Sequence, residues 1–219
     1  MSMPSASPGH SAADILVVCG ICFGWFIYHS VQSVASGFPT HSFTDASSAR
    51  LVALEVIFGT TAIAYLYARD YNLVQLLPIP TLHGCLVGLA LYALTVAVSW
   101  PLDLLMRTGQ TVAQPFDEMV EHATFSLLPL VVLSIVNGFY EEVFLVGYLQ
   151  RALEGAGAPF AIGASLLVRV LYHLYQGPAG AISVLGFGLV LSVYFAWKRK
   201  LWPVVFAHIS ADITGFSVE

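Results

Sequence analysis

Seven apolar runs divide this chain, at about residues 13–34, 51–67, 82–100, 126–153, 159–175, 181–197 and 202–216. A helix crossing a bilayer needs about 20 apolar residues, and most of these runs approach or exceed that length. None alternates apolar and polar positions as a transmembrane β-strand must, so each predicts a helix. The intervening segments carry turn chemistry. Residues 37–49 are rich in Ser, Thr, Gly and Pro, residues 71–81 contain Pro78 and Pro80, and Gln176-Gly-Pro-Ala-Gly180 reads as a turn. Pro101 and Asp103 mark the end of the third run or a kink in it. The stretch from Arg107 to Glu121 is the most polar, with Asp117, Glu118 and Glu121, and suits a short amphipathic helix on the membrane surface. A helix over all 28 residues of the fourth run would extend about 42 Å, so it is expected to tilt, to kink near Pro129 or to protrude at Arg151.

Composition strengthens this pattern. The 219 residues are 58% hydrophobic and 10% charged, with a mean hydropathy of +0.80, whereas soluble domains carry about 25% charged residues. The predicted fold class is therefore all-α: a polytopic transmembrane helical bundle of about seven spans. The net charge of −5 is modest, and no basic patch points to nucleic acid. Met1 to Ala12 is polar and lacks the Lys or Arg of a signal-peptide n-region, so residues 1–12 are expected to form a mobile tail. With Lys198-Arg199-Lys200 in the cytoplasm, Arg69 and Arg151 join them there, and Arg50 and Arg107 face outward. Five basic residues against two then obey the positive-inside rule. Cys19-x-x-Cys22 has redox or metal spacing, but no second Cys pair follows, and small buried hydrophobes are the simpler reading. His29 and His83 read as packed or interfacial.

Charged residues inside the spans carry the functional signal, because each costs roughly 3 kcal/mol at membrane depth on insertion scales. Glu141 and Glu142 are adjacent in the fourth run. Arg169 and His173 in the fifth, and His208 and Asp212 in the seventh, are each four residues apart and so share a helix face. Glu141 and Glu142 are about 100° apart, so one can face a cavity while the other packs sideways. Glu55, near one end of the second run, reads as a carboxylate snorkelling to the interface or as a packing partner for another helix. Three helices thus converge two carboxylates, two imidazoles, an Arg and an Asp on one site. That set suits hydrolysis by a carboxylate-activated water with imidazole assistance. One Glu and two His also form a zinc ligand set with an open position, although no His-Glu-x-x-His pattern is present. Carboxylates and histidines in spans also build ion relays, but no inverted repeat is evident.

The order Glu141-Glu142-x-x-x-x-Gly147, Arg169-x-x-x-His173 and His208-x-x-x-Asp212 resembles the CPBP family of intramembrane proteases. These are the CAAX-protease and bacteriocin-processing enzymes, also called the ABI family. The resemblance covers about residues 122–216. It divides the chain into a tail (1–12), N-terminal transmembrane helices and loops (13–121), a CPBP-like protease core (122–216) and a C-terminal tail (217–219). It implies an intramembrane endopeptidase acting on a membrane-associated, lipidated or leader-peptide substrate. Glu141 would activate the water, His173 would orient it, His208 and Asp212 would line the oxyanion side, and Glu142 and Arg169 would support them. The implied cofactor is none, or a zinc ion held by Glu141, His173 and His208. The implied partners are the lipid bilayer and a peptide or protein substrate, and the expected location is a bacterial cell membrane. One departure stands out: the family's usual first-motif Arg falls at Val146, with Arg169 or Arg151 as candidate replacements. It motivates an alternative, a catalytically silent binding or immunity module on the same scaffold.

Overall fold

A computed structural model describes residues 11–39, 42–108, 114–124 and 126–215. Most of the expected tail at 1–12 and all of the tail at 217–219 lie outside the described residues, as does Phe216 at the end of the seventh run. The chain forms helices α1 (Ala12–Ala35), α2 (Asp45–Ala68), α3 (Leu82–Arg107), α4 (Pro115–Glu121), α5 (Leu127–Glu142), α6 (Ala158–His173), α7 (Gly177–Lys198) and α8 (Leu201–Gly215). Five helical stretches among the described residues are long and apolar enough to cross a membrane: Ala12–Ala35, Asp45–Ala68, Leu82–Leu102, Leu127–Gln150 and Ala158–Lys198. The last contains both α6 and α7, separated by a turn at Gly177, where φ is +81°. Each of the seven apolar runs is a helix, although α8 is short at 15 residues. The chain is an all-α integral membrane bundle, with large apolar side chains such as Leu16, Tyr67, Leu82 and Trp197 facing outward.

Three boundaries differ from expectation. The loop read over 37–49 ends early, because Thr44 caps α2: its hydroxyl accepts the Ser47 N–H while Ser47 reaches back to the Thr44 N–H. The helix continues past Pro101 to Arg107. The long fourth run does not remain α-helical. After Glu142 it widens into a π-helical segment, Val143–Gln150, before breaking at Gly157. Such segments are rare and often lie at functional sites.

The fourth run is the hub. Its apolar window is 61% buried, against 22% for each of the first three spans. α5 packs against α2 and α8, α3 against α7 and α8, and α6 against α1 and α7. Phe144, Leu145, Val146, Tyr148 and Leu149 from the π-helical segment join Phe23 of α1, Leu191 and Phe195 of α7, and Val204 and Val205 of α8 in one core. Polar ties fix the ends. Asp14 accepts from Tyr65 (2.8 Å) and Arg69 (2.9 Å), and Asp45 accepts from the backbone (2.8 Å) and hydroxyl (2.6 Å) of Ser126. Tyr140 donates to the Cys22 carbonyl. Cys19, Cys22 and Cys85 are free thiols.

Close approach of α5 and α8 depends on Gly138. A Cβ there would lie 2.8 Å from Ile209 Cγ1 and 3.2 Å from the Ile209 backbone nitrogen. The side chain could move, but the backbone could not without separating the helices. Gly138→Val is therefore expected to destabilise the bundle by about 1–3 kcal/mol, read from its unfolding midpoint in mixed micelles. A midpoint equal to wild type would show that the two helices tolerate a wider spacing.

Candidate active site

Glu141 and Glu142 close the last α-helical turn before the π-helical segment, so they sit where the backbone changes pitch. Their 100° offset has the expected result. Glu141 lines a cavity, and Glu142 is fully buried behind it. Across from them α6 supplies Arg169, Tyr172 and His173, and α8 supplies His208 and Asp212.

Arg169 binds both carboxylates. Its Nη1 is 3.2 Å from Glu141 Oε2 and its Nη2 is 2.6 Å from Glu142 Oε1. The guanidinium is 1% exposed, so this is a buried, forked ion pair, the geometry for which Arg is suited and Lys is not. Its stem is accommodated because α7 has glycine at 188, where a Cβ would lie 2.7 Å from Arg169 Cδ. Val146, in the slot of the usual motif Arg, is fully buried in the apolar core. Arg169 places a positive charge against both carboxylates. Arg151 does not: its Nε donates to the Gly147 carbonyl (3.2 Å), and its guanidinium lies 5.4 Å from the Phe195 ring.

The two imidazoles are oriented from behind. His173 Nδ1 lies 2.9 Å from the Arg169 carbonyl, which can only accept, so Nδ1 carries the proton and Nε2 turns towards Glu141 Oε1 at 3.9 Å. His208 Nδ1 is 2.6 Å from Glu142 Oε1. Its Nε2 faces Glu141 Oε2 at 3.9 Å and Asp212 Oδ1 at 3.5 Å. Phe187 walls His208 edge-on, with ring centroids 5.1 Å apart. All six residues singled out in the spans therefore meet in one cluster: Glu141, Glu142, Arg169, His173, His208 and Asp212.

Three participants were not read from the sequence as site residues. Tyr172 donates to Glu141 Oε2 at 2.5 Å. Asn137 donates to Asp212 Oδ2 at 2.9 Å and lies 3.4 Å from His208 Nε2. Its signal was available, since it precedes Glu141 by one helical turn. Glu55 is the third and corrects an expectation. It is 3% exposed, at mid-helix in α2, and lines the same cavity as Glu141. It does not snorkel to the interface. The cavity measures about 680 Å³ and is bounded by α1, α2, α4 and α5, with Tyr172, His173, His208 and Asp212 at its inner end. His29 also lines it. A second cavity of about 470 Å³, lined largely by α3, α7 and α8, also reaches His173, His208 and Asp212.

Among the described residues, those with metal-ligand spacing are Glu141, Glu142 and His208, whose ligand atoms lie within 4.8 Å of one another. His173 is not in that group. One oxygen of each carboxylate is already engaged: Glu142 Oε1 accepts from Arg169 and His208, and Glu141 Oε2 accepts from Arg169 and Tyr172. A divalent ion at these donors would sit beside the guanidinium that binds both carboxylates. The buried atoms of the cluster without a hydrogen-bond partner among the described residues are Glu142 Oε2 and Arg169 Nε.

The bundle and the cluster define a class: an α-helical integral membrane protein with a glutamate–histidine centre buried among its helices. Residues 123–214 match the family model described as type II CAAX prenyl endopeptidase Rce1-like. The matched segment is less than half of the chain, but it contains every residue of the three motifs. It bears out the resemblance read from them. Comparisons with curated proteins and with solved structures gave no match.

Proposed function

We propose that the protein is an intramembrane endopeptidase of the glutamate type, hydrolysing a peptide bond of a membrane-associated, lipidated or leader-peptide substrate. The observation that carries this reading is the placement of Glu141, buried on the wall of a cavity with one carboxylate oxygen 3.9 Å from His173 Nε2 and the other 3.9 Å from His208 Nε2. These gaps are too long for direct hydrogen bonds and short enough for a single water to bridge. A water held by Glu141 and His173 gives its proton to Glu141 as its oxygen attacks the substrate carbonyl carbon. His208, protonated on both ring nitrogens between the carboxylates of Glu142 and Asp212, donates from Nε2 to the oxyanion that develops, with Asn137 beside it. The proton then passes from Glu141 to the leaving amine as the C–N bond breaks. Arg169 and Tyr172 fix the Glu141 carboxylate, and Glu142 and Asp212 hold the His208 ring. The core at 122–216 supplies these groups, and helices of the 13–121 region complete the cavity that receives the peptide. The proposed location is a bacterial cell membrane.

The alternative is a catalytically silent module, motivated by Val146 in the place of the motif Arg; the pairing of Arg169 with both carboxylates supports the protease reading over it. The test is direct. Purified protein in liposomes is given prenylated CAAX-type peptides, their unprenylated counterparts and leader peptides, with products read by mass spectrometry. Internal cleavage of one class at a fixed bond is expected. Tight binding without cleavage of any would favour the silent module.

A further inference from the structure

Among the described residues, Glu55 is the one buried carboxylate facing the larger cavity that the proposed reaction does not use. It is 3% exposed, and its Oε2 has no hydrogen-bond partner. Among the described residues lining that cavity there is no Lys or Arg, while Glu55, Glu141 and Asp212 all face it. Glu141 is balanced by Arg169, and Asp212 is held by Asn137 and His208. His173 is bonded to the Arg169 carbonyl. His29 makes ring contacts with Trp25 and Tyr28 at 4.2 and 5.3 Å. None of these gives Glu55 a hydrogen bond or an ion pair. A carboxylate kept in such a place is costly unless something neutralises it, and intramembrane carboxylates normally have a partner or a function.

Its position says where that partner would come from. Gly59, one helical turn beyond Glu55, packs against Tyr140, so that a Cβ there would lie 3.4 Å from the Tyr140 ring. Tyr140 immediately precedes Glu141. On α2, residue 55 therefore lies about one helical turn, some 5 Å, from the contact with the turn that carries Glu141, and both side chains line one cavity. An extended peptide advances about 3.3–3.6 Å per residue, so one to two substrate residues cover that distance. We infer that Glu55 is a specificity-determining residue that receives a cationic Lys or Arg side chain of the substrate within about two positions of the scissile bond. This rests on the protease reading and names a feature of its substrates. The aromatic wall beside Glu55, with Phe23, Phe26 and Tyr140, would pack the aliphatic stem of such a side chain.

The test uses fluorescein-labelled peptides with lysine at each position in turn around the bond found to be cut, paired with norleucine counterparts that keep the stem and lose the charge. Wild type is expected to show a kcat/KM for lysine at one position on the order of 10- to 100-fold above norleucine. Glu55→Gln should collapse that ratio towards unity. Glu55→Asp, which keeps the charge, should retain most of it, and Glu55→Lys should turn the preference towards glutamate at the same position. Equal cleavage of both peptides by wild type, or a ratio unchanged in Glu55→Gln, overturns the inference. Lysine and norleucine pairs placed at every position along the prenylated and leader peptides, whether or not these are cut, are also titrated by fluorescence anisotropy, which needs no cleavage. Lysine-dependent binding that Glu55→Gln removes would uphold the cation site even where the protease reading fails, and charge-independent binding would overturn the site alone. Melting curves of the three variants separate a lost site from a lost fold.

Discussion

Arg169→Met should lower the stability of the bundle by about 3–5 kcal/mol, the cost of breaking a buried pair by removing one partner. Methionine keeps much of the stem packing at Gly188 but removes the guanidinium that reaches Glu141 and Glu142 and lies over the Phe187 ring. Two adjacent buried carboxylates then lose their counter-charge. The loss should be read from the unfolding midpoint in mixed micelles. Arg169→Lys should fall between the two, because one ammonium cannot reproduce the fork that binds two carboxylates at 3.2 and 2.6 Å. Adding Glu142→Gln to Arg169→Met should recover part of the stability, since it removes one uncompensated charge. The double-mutant cycle then measures the coupling directly. If Arg169→Met melted with wild type, the pair would not be the replacement for the Arg that Val146 displaces.

Glu141→Gln should reduce cleavage by about 10²- to 10⁴-fold, the usual contribution of a positioned general base. Glutamine is nearly isosteric, and its amide oxygen can still accept from Arg169 and Tyr172, so the fold should persist. The effect should fall on kcat, with KM nearly unchanged, because the lost interaction is with the water rather than with the peptide. Glu142→Gln is the informative contrast. Glu142 is fully buried, holding Arg169 and His208. Its loss should disturb the orientation of His208 and lower both stability and rate, without removing the base. Equal rates for Glu141→Gln and wild type would take the reaction away from this carboxylate.

What the sequence disclosed follows from the cost of polarity in a bilayer. Apolar runs had to be spans, and charges within them had to find one another. The cluster of Glu141, Glu142, Arg169, His173, His208 and Asp212 was legible for that reason. Tyr172 and Asn137 were not, because a neutral tyrosine or asparagine in an apolar helix resembles packing as much as function. Glu55 was misplaced for a different reason. The first turns of α2, from Asp45 to Arg50, are mostly small or polar, and the loop expected over 37–49 puts the start of the span at Leu51 with Glu55 near its end. The Thr44 cap adds six residues and moves Glu55 to mid-helix. The π-helical segment was also hidden. Where nearly every position from Val143 to Leu149 is apolar and buried, a change of helical pitch leaves no mark on the hydrophobic pattern.

The most direct test of the central claim is cleavage by wild type and Glu141→Gln, side by side, before and after stripping with a zinc chelator and again after Zn²⁺ is restored. The site as built predicts that wild-type cleavage resists chelation, does not rise on adding Zn²⁺, and is lost in Glu141→Gln under all three conditions. Wild-type cleavage abolished by the chelator and recovered with about one zinc per chain would contradict it, and would require Arg169 to yield its place among the carboxylates to a metal.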